Sequence, residues 1–266
     1  MPTLTANGIE IAYQIDGSGD ETLVLVCGLG DAKESWAAAQ LPAFTRKYRV
    51  ITYDNRGIGA SSAPPGPYTI QQMAGDLAGL VDGLGLDRFH LLGVSMGGMI
   101  AEEYAAAHAD RLLSASFCCT SAVMGPFLRR VVALWREAAP RLGVPFTQRD
   151  VLLWCFTPEF FDTRPAELEE IEQALASTTQ TVQGYLGQLD AVDAHDARAR
   201  LGAITCPSMT LVGREDILIH PFLSRRLHDA LPRSTWVEVP GGHACLWEHA
   251  EAFNEAVLGF LAGVPR

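Results

Sequence analysis

The 266-residue sequence predicts an α/β fold, a mostly parallel central sheet covered by helices, with a long helical block inserted. Three observations predict it. Short apolar runs alternate with segments of helical period, the pattern of strands joined by crossover helices. Some runs, such as Thr22-Leu23-Val24-Leu25-Val26, are apolar without interruption, as strands buried on both faces must be. Between Ser121 and about Arg200 the two-residue period disappears, then returns.

The elements follow in order. Ile9 to Tyr13 alternates, which predicts a half-exposed strand. Gly17-Ser18-Gly19-Asp20 reads as a turn. Thr22 to Val26 is a central strand ending in Cys27-Gly28-Leu29-Gly30. Trp36 to Phe44 reads as a helix with Ser35 as its N-cap. Tyr48 to Tyr53 is the next strand, and Ile70 to Leu84 carries helical spacing after the rigid Pro64-Pro65-Gly66-Pro67 loop. Arg88 to Leu92 is a strand, Gly98 to Ala107 a helix and Leu112 to Cys119 a strand. The block that follows reads as helices broken by Pro126, Pro140, Pro145, Pro158 and Pro165. Cys206 to Val212 and Thr235 to Val239 are strands, and Ser224 to Leu231 and Trp247 to Leu261 are helices. The predicted organisation is a core of residues 1–120 and 201–266, with 121–200 inserted as a lid.

Composition narrows the function classes. The 48% hydrophobic content suffices for a large core. A net charge of −11 argues against nucleic acid or an anionic membrane as partner. No run of 18 apolar residues predicts a membrane span, and Met1-Pro2-Thr3-Leu4-Thr5 lacks the basic start of a secretory signal. Cys27, Cys118, Cys119, Cys155, Cys206 and Cys245 match no zinc or redox spacing. The expectation is a reduced, cytoplasmic protein that acts on a small molecule. Oligomeric state is left open.

The sharpest motif is Gly93-Val94-Ser95-Met96-Gly97, at a strand-to-helix turn where a serine nucleophile is held exposed on a strained backbone. A serine hydroxyl is a weak nucleophile and needs a base, which in turn needs an orienting carboxylate. Asp216 follows a late strand through Gly213-Arg214-Glu215, with Glu215 as the alternative. His243 follows the last strand in the flexible Val239-Pro240-Gly241-Gly242 loop. The resulting chain order, Ser95, Asp216, His243, is that of an α/β-hydrolase. The backbone N–H groups of Met96 and Leu29 are the expected oxyanion donors. His243, Glu248 and His249 do not match a zinc motif, so no metal is expected. Met124, Trp135, Trp154, Phe161 and Leu218 are candidates for an apolar substrate pocket, although lid aromatics also serve as plain packing. Arg129, Arg130 and Arg136 are the available anchors for a substrate carboxylate.

With these residues in place the chain resembles the α/β-hydrolase superfamily from end to end. Asp54-Asn55-Arg56-Gly57-Ile58-Gly59-Ala60-Ser61 is similar to its D-x-R-G-x-G-x-S turn, and Gly242-His243-Ala244-Cys245 matches its histidine loop. Pro64 to Ile70 and Ser95 to Met99 look most like 3-oxoadipate enol-lactonases and related esterases. Gly241 to Cys245 is similar to aminoacrylate hydrolases. The resemblance implies a cofactor-free hydrolase cleaving a small carboxylic ester or lactone through an acyl-enzyme, with Ser95 as nucleophile, Asp216 as acid and His243 as base. Carbon–carbon bond, carbamate and amide hydrolases and perhydrolases share this triad, and a ligand receptor built on a hydrolase pocket is a further alternative. Ser95 excludes the members with an aspartate nucleophile. One departure is Cys27-Gly28, where many members have His-Gly, which puts the support of that loop in question.

Overall fold

The computed structural model describes residues 1–265. Eight strands form one sheet: β1 (Thr3–Ala6), β2 (Ile9–Asp16), β3 (Glu21–Val26), β4 (Tyr48–Tyr53), β5 (Phe89–Val94), β6 (Leu112–Cys118), β7 (Ser208–Gly213) and β8 (Ser234–Val239). Their order is β1-β2-β4-β3-β5-β6-β7-β8. β1 pairs antiparallel with β2, and β2 with β4; every other pair is parallel. The predicted class is thus observed, with an antiparallel edge hairpin whose first strand, β1, is only four residues long and is not singled out in the sequence.

The helices are α1 (Leu41–Phe44), α2 (Ile70–Gly83), α3 (Met96–Ala107), α4 (Pro126–Leu142), α5 (Val144–Cys155), α6 (Pro158–Thr163), α7 (Pro165–Ala176), α8 (Val182–Ala194), α9 (Pro221–Ala230), α10 (Cys245–Glu248) and α11 (Ala250–Ala262). The uninterrupted apolar runs are explained by helices on both faces of the sheet. In β3, Val24 and Val26 pack with Met73 and Leu77 of α2 and Ile100 of α3. Leu23 and Leu25 face the other way, with Phe44 of α1 and Phe253 and Val257 of α11. β5 divides likewise, Leu91 to one side and Leu92 to the other. Each such fully buried side chain contributes about 1.5–3 kcal/mol relative to exposure.

Three local expectations are corrected. Trp36 to Phe44 is not one helix: a 3-10 turn, Lys33–Trp36, precedes the short α1, and Ser35 donates to the Ala32 carbonyl instead of capping. Buried Trp36 donates to Cys27 Sγ at 3.0 Å, which fixes the turn by packing rather than by helical propensity. The prolines of the inserted block mostly begin helices. Pro126, Pro145, Pro158 and Pro165 occupy the first turn, and only Pro140 lies inside a helix. Proline's missing N–H costs nothing at a helix start, where that group has no intrahelical acceptor. The C-terminal helix is divided at His249 into α10 and α11.

Candidate active site

Ser95 lies between β5 and α3 with φ 57° and ψ −121°. A non-glycine residue in this region carries about 1–3 kcal/mol of strain. Its surroundings hold it there. The Ser95 N–H donates to the Cys118 carbonyl at 2.9 Å, and Thr120 Oγ1 donates to the Ser95 carbonyl at 2.9 Å. The flanking glycines are steric necessities. A Cβ on Gly93 would lie 2.0 Å from the Gly97 carbonyl oxygen, and one on Gly97 would lie 2.2 Å from that of Val26.

The structure brings together all three residues singled out from chain order. Ser95 Oγ is 3.0 Å from His243 Nε2, and His243 Nδ1 is 2.8 Å from Asp216 Oδ2. The other Asp216 oxygen accepts from the Leu218 and Ile219 N–H groups at 3.0 and 2.8 Å, so the carboxylate has a fixed orientation. Glu215 is exposed and takes no part, whereas Asp216 is buried. Burial by itself pushes the His243 imidazole down, but the Asp216 charge and hydrogen bond, helped by Asp31, more than offset this and raise it to about 9. An arrangement of this kind can draw the proton from a serine hydroxyl and stabilise the imidazolium that results.

The loop carrying His243 is tied down by groups that sequence reasoning missed. Buried Glu248 accepts from the Gly242 N–H at 3.0 Å and from Thr157 Oγ1. The Ala244 N–H donates to the Cys155 carbonyl at 2.8 Å, so the end of α5 supports the loop directly. Leu29 and Met96 both line the cavity beside Ser95. The Leu29 N–H has no protein acceptor among the described residues. Met96 opens α3, where first-turn N–H groups lack intrahelical acceptors. In place of a His-Gly start, Cys27 Sγ accepts from Trp36, and glutamines of α5 and α8 hold the loop. Gln148 Nε2 donates to the Gly30 carbonyl and the Gly30 N–H donates to Gln188 Oε1, both at 3.0 Å.

The cavity above Ser95 has a volume of about 100 Å³ and is walled by both the core and the inserted helices. Of the five pocket candidates, Trp135 and Leu218 line it. Met124, Trp154 and Phe161 do not. Met124, in the segment before α4, is buried beside a separate surface groove. Trp154 is half-buried and turned toward Phe127, with Nε1 donating to Asp150. Phe161 packs edge-on against Phe160. In α5 the helical phase is visible: Val151, Leu152 and Cys155 share the face that lines the cavity, and Trp154 lies off it. The arginines expected as carboxylate anchors are elsewhere. Arg129 pairs with Asp193 at 2.8 Å, Arg136 pairs with Asp190, and Arg130 is exposed.

Asp31, overlooked in the sequence, also lines the cavity. Its only signal was its place directly after Gly28-Leu29-Gly30. Burial of its charged form pushes its carboxyl up to about 7, although His243 acts in the opposite sense. Cys119, Asp216 and His243 place one potential metal-ligand atom each within 4.8 Å of one another. Two of those atoms already bond each other at 2.8 Å, so an ion there would have to displace the Asp216–His243 contact.

The strand order, the strained serine turn and this cluster define a class. The family model for the alpha/beta hydrolase fold matches residues 21–250, and the chain belongs to that family. Among individual proteins, it is similar to the enol-lactonase of Burkholderia xenovorans, with 34% identity, a TM-score of 0.91 and coverage of 98% of this chain and 100% of that one. It is 30% identical, over the full length of both chains, to RutD of Azorhizobium caulinodans, whose name proposes a carbamate hydrolase. It is 30% identical to 3-oxoadipate enol-lactonase 2 of Acinetobacter baylyi, over 96% of this chain and 94% of that protein. Family and relatives together make the protein an enzyme of the hydrolase class. Among the described residues, no helix is long and apolar enough to cross a membrane.

Proposed function

We propose that the protein hydrolyses a small carboxylic ester or lactone through an acyl-enzyme on Ser95. One observation carries the reading: the unbroken hydrogen-bond chain from Ser95 Oγ through His243 to Asp216, at 3.0 and 2.8 Å, opening on a largely apolar cavity. His243 takes the hydroxyl proton as Ser95 attacks the carbonyl carbon. The N–H groups of Leu29 and Met96 receive the developing oxyanion, where preorganised donors are worth most. His243 then protonates the leaving oxygen, and a water activated by the same imidazole releases the acid. Every proton is carried by side chains of this protein, so the reaction needs no cofactor.

Residues 121–200 act in this reading as the lid that shapes the acyl site. The likeness to RutD supports a second substrate class, carbamates, which the same three residues would attack in the same way. The test is a panel of p-nitrophenyl butyrate, a simple lactone and a carbamate ester, run with the wild type and Ser95→Ala. Ester or lactone turnover that vanishes in the variant supports the reading. Carbamate turnover alone would transfer the assignment to the second class, and turnover that survives in the variant would remove Ser95 from the mechanism.

A further inference from the structure

The wall of the cavity is unbalanced in charge. Among the described residues no lysine or arginine lines it, and Asp31 is its only carboxylate. Most of the rest is apolar, including Val94, Met99, Val132, Leu152 and Phe156. The nearby arginines of the inserted block are spent on Asp190 and Asp193. The Asp31 carboxylate accepts no hydrogen bond from any described residue; the opposing charge beside it is the His243 imidazolium, and in the reacting form, where His243 is neutral, the carboxylate charge faces whatever enters. It is also close to the reacting atoms. The position that a Cβ on Gly28 would take lies 3.1 Å from Asp31 Oδ2 and 3.5 Å from Ser95 Cβ, so carboxylate and serine flank the same glycine.

We infer that Asp31 is a specificity-determining residue that repels anionic acyl groups, and that the substrate carries a short, uncharged acyl chain. The inference rests on the ester or lactone reading above and deepens it. Size follows from the cavity: about 100 Å³ is less than the roughly 150 Å³ that holds a benzene ring, which points to an acyl group of fewer than about six carbons. The magnitude follows from Coulomb's law. Two like charges about 7 Å apart, at an effective dielectric constant of about 20, repel enough to change a rate about fifty-fold. An enol-lactone whose acyl part ends in a free carboxylate would be a poor substrate on this account, despite the likeness to an enol-lactonase.

The titratable groups facing Asp31 are Cys27, Cys155, Tyr185 and His243. Burial holds the first three neutral. Asp31 itself becomes charged as pH rises through about 7.

The experiment compares p-nitrophenyl butyrate with mono-p-nitrophenyl succinate, esters of similar size that differ by one carboxylate. In the wild type the ratio of kcat/KM, butyrate over succinate, is expected to exceed about ten at pH 8 and to shrink below pH 7, as the repulsion is relieved. In Asp31→Asn it is expected to fall about tenfold or more and to lose its pH dependence. Loss of the acid limb of the ratio is a readout that a packing defect would not produce. Should Asp31→Asn fail to fold, Asp31→Ser and the wild-type pH series carry the same test. Equal use of both esters by the wild type, or an unchanged ratio in the variants, overturns the role of Asp31 while leaving the esterase reading intact. Hydrolysis of neither ester overturns that reading, and this inference with it.

Discussion

The Gly30 N–H donates to Gln188 Oε1 at 3.0 Å, joining residues 158 positions apart. Gln188 also donates from Nε2 to the Arg56 carbonyl at 2.9 Å, and Gln148 closes on the Gly30 carbonyl. The loop that presents the Leu29 N–H is therefore shaped by α5 and α8, not by its own residues alone. Removing a partner so that buried backbone groups lose their bonds costs about 1–3 kcal/mol per group. Gln188→Ala is expected to lower stability by at least that amount in urea denaturation. It is expected to lower kcat on p-nitrophenyl butyrate as well, since the Leu29 N–H, the proposed oxyanion donor, loses its support. An unchanged kcat would detach the clamp from catalysis.

Ser95→Ala is expected to reduce kcat by several orders of magnitude, as loss of the nucleophile does in such a unit. The fold should persist, because the backbone bonds of residue 95 to Cys118 and Thr120 do not involve its side chain. Labelling by a fluorophosphonate, followed by mass spectrometry, checks the assignment. A label found on another serine would overturn it.

Asp216→Asn and Glu215→Gln separate the two acidic candidates. The first breaks a 2.8 Å contact that sets the imidazole tautomer, and a loss of about 10⁴-fold in kcat is the scale of such a change. The second alters an exposed side chain and is expected to change kcat by less than about twofold. Steady-state kinetics of both variants decides between them.

The pH profile follows from the shift on His243. Its imidazole is raised to about 9 from an ordinary value of 6.5, and only the neutral form accepts the serine proton. The acid limb of kcat/KM is therefore expected well to the alkaline side of 6.5, toward about 9. Because the folded value is raised, the shift also contributes stability, present in full below the unfolded value and lost as pH rises through about 9. A kinetic midpoint at or below 6.5 would show that the Asp216 charge does not hold the proton as described.

Exchanging residues 121–200 for the corresponding block of a related esterase tests the lid. Trp135, Leu152 and Phe156 of this block wall the cavity, while Ser95, Asp216 and His243 belong to the rest of the chain. The chimera is expected to reorder kcat/KM among acyl esters and still to react with a small phosphonate. An unaltered substrate ranking would move specificity to core positions such as Asp31 and Leu218.

The grouping of Ser95, Asp216 and His243 was legible in the sequence because local signals mark each of them. Gly93-Val94-Ser95-Met96-Gly97 is recognisable as a strained turn by its spacing of small residues, and Asp216 and His243 are marked by the strands they follow. The parallel sheet was legible because a strand buried on both faces carries consecutive apolar residues, as β3 does from Leu23 to Val26. What the tertiary structure alone decided is the wall of the cavity. Trp135 turns inward and Trp154 outward because helical phase and packing select between them, and neither residue's identity reveals the choice. Asp31, Gln148 and Gln188 are ordinary polar residues until the fold brings positions 31, 148 and 188 around one loop. Their meaning comes from burial, which leaves one carboxylate without a hydrogen-bond donor and gives two glutamines the backbone of Gly30 to hold, and burial is a property of the whole chain rather than of any stretch of it.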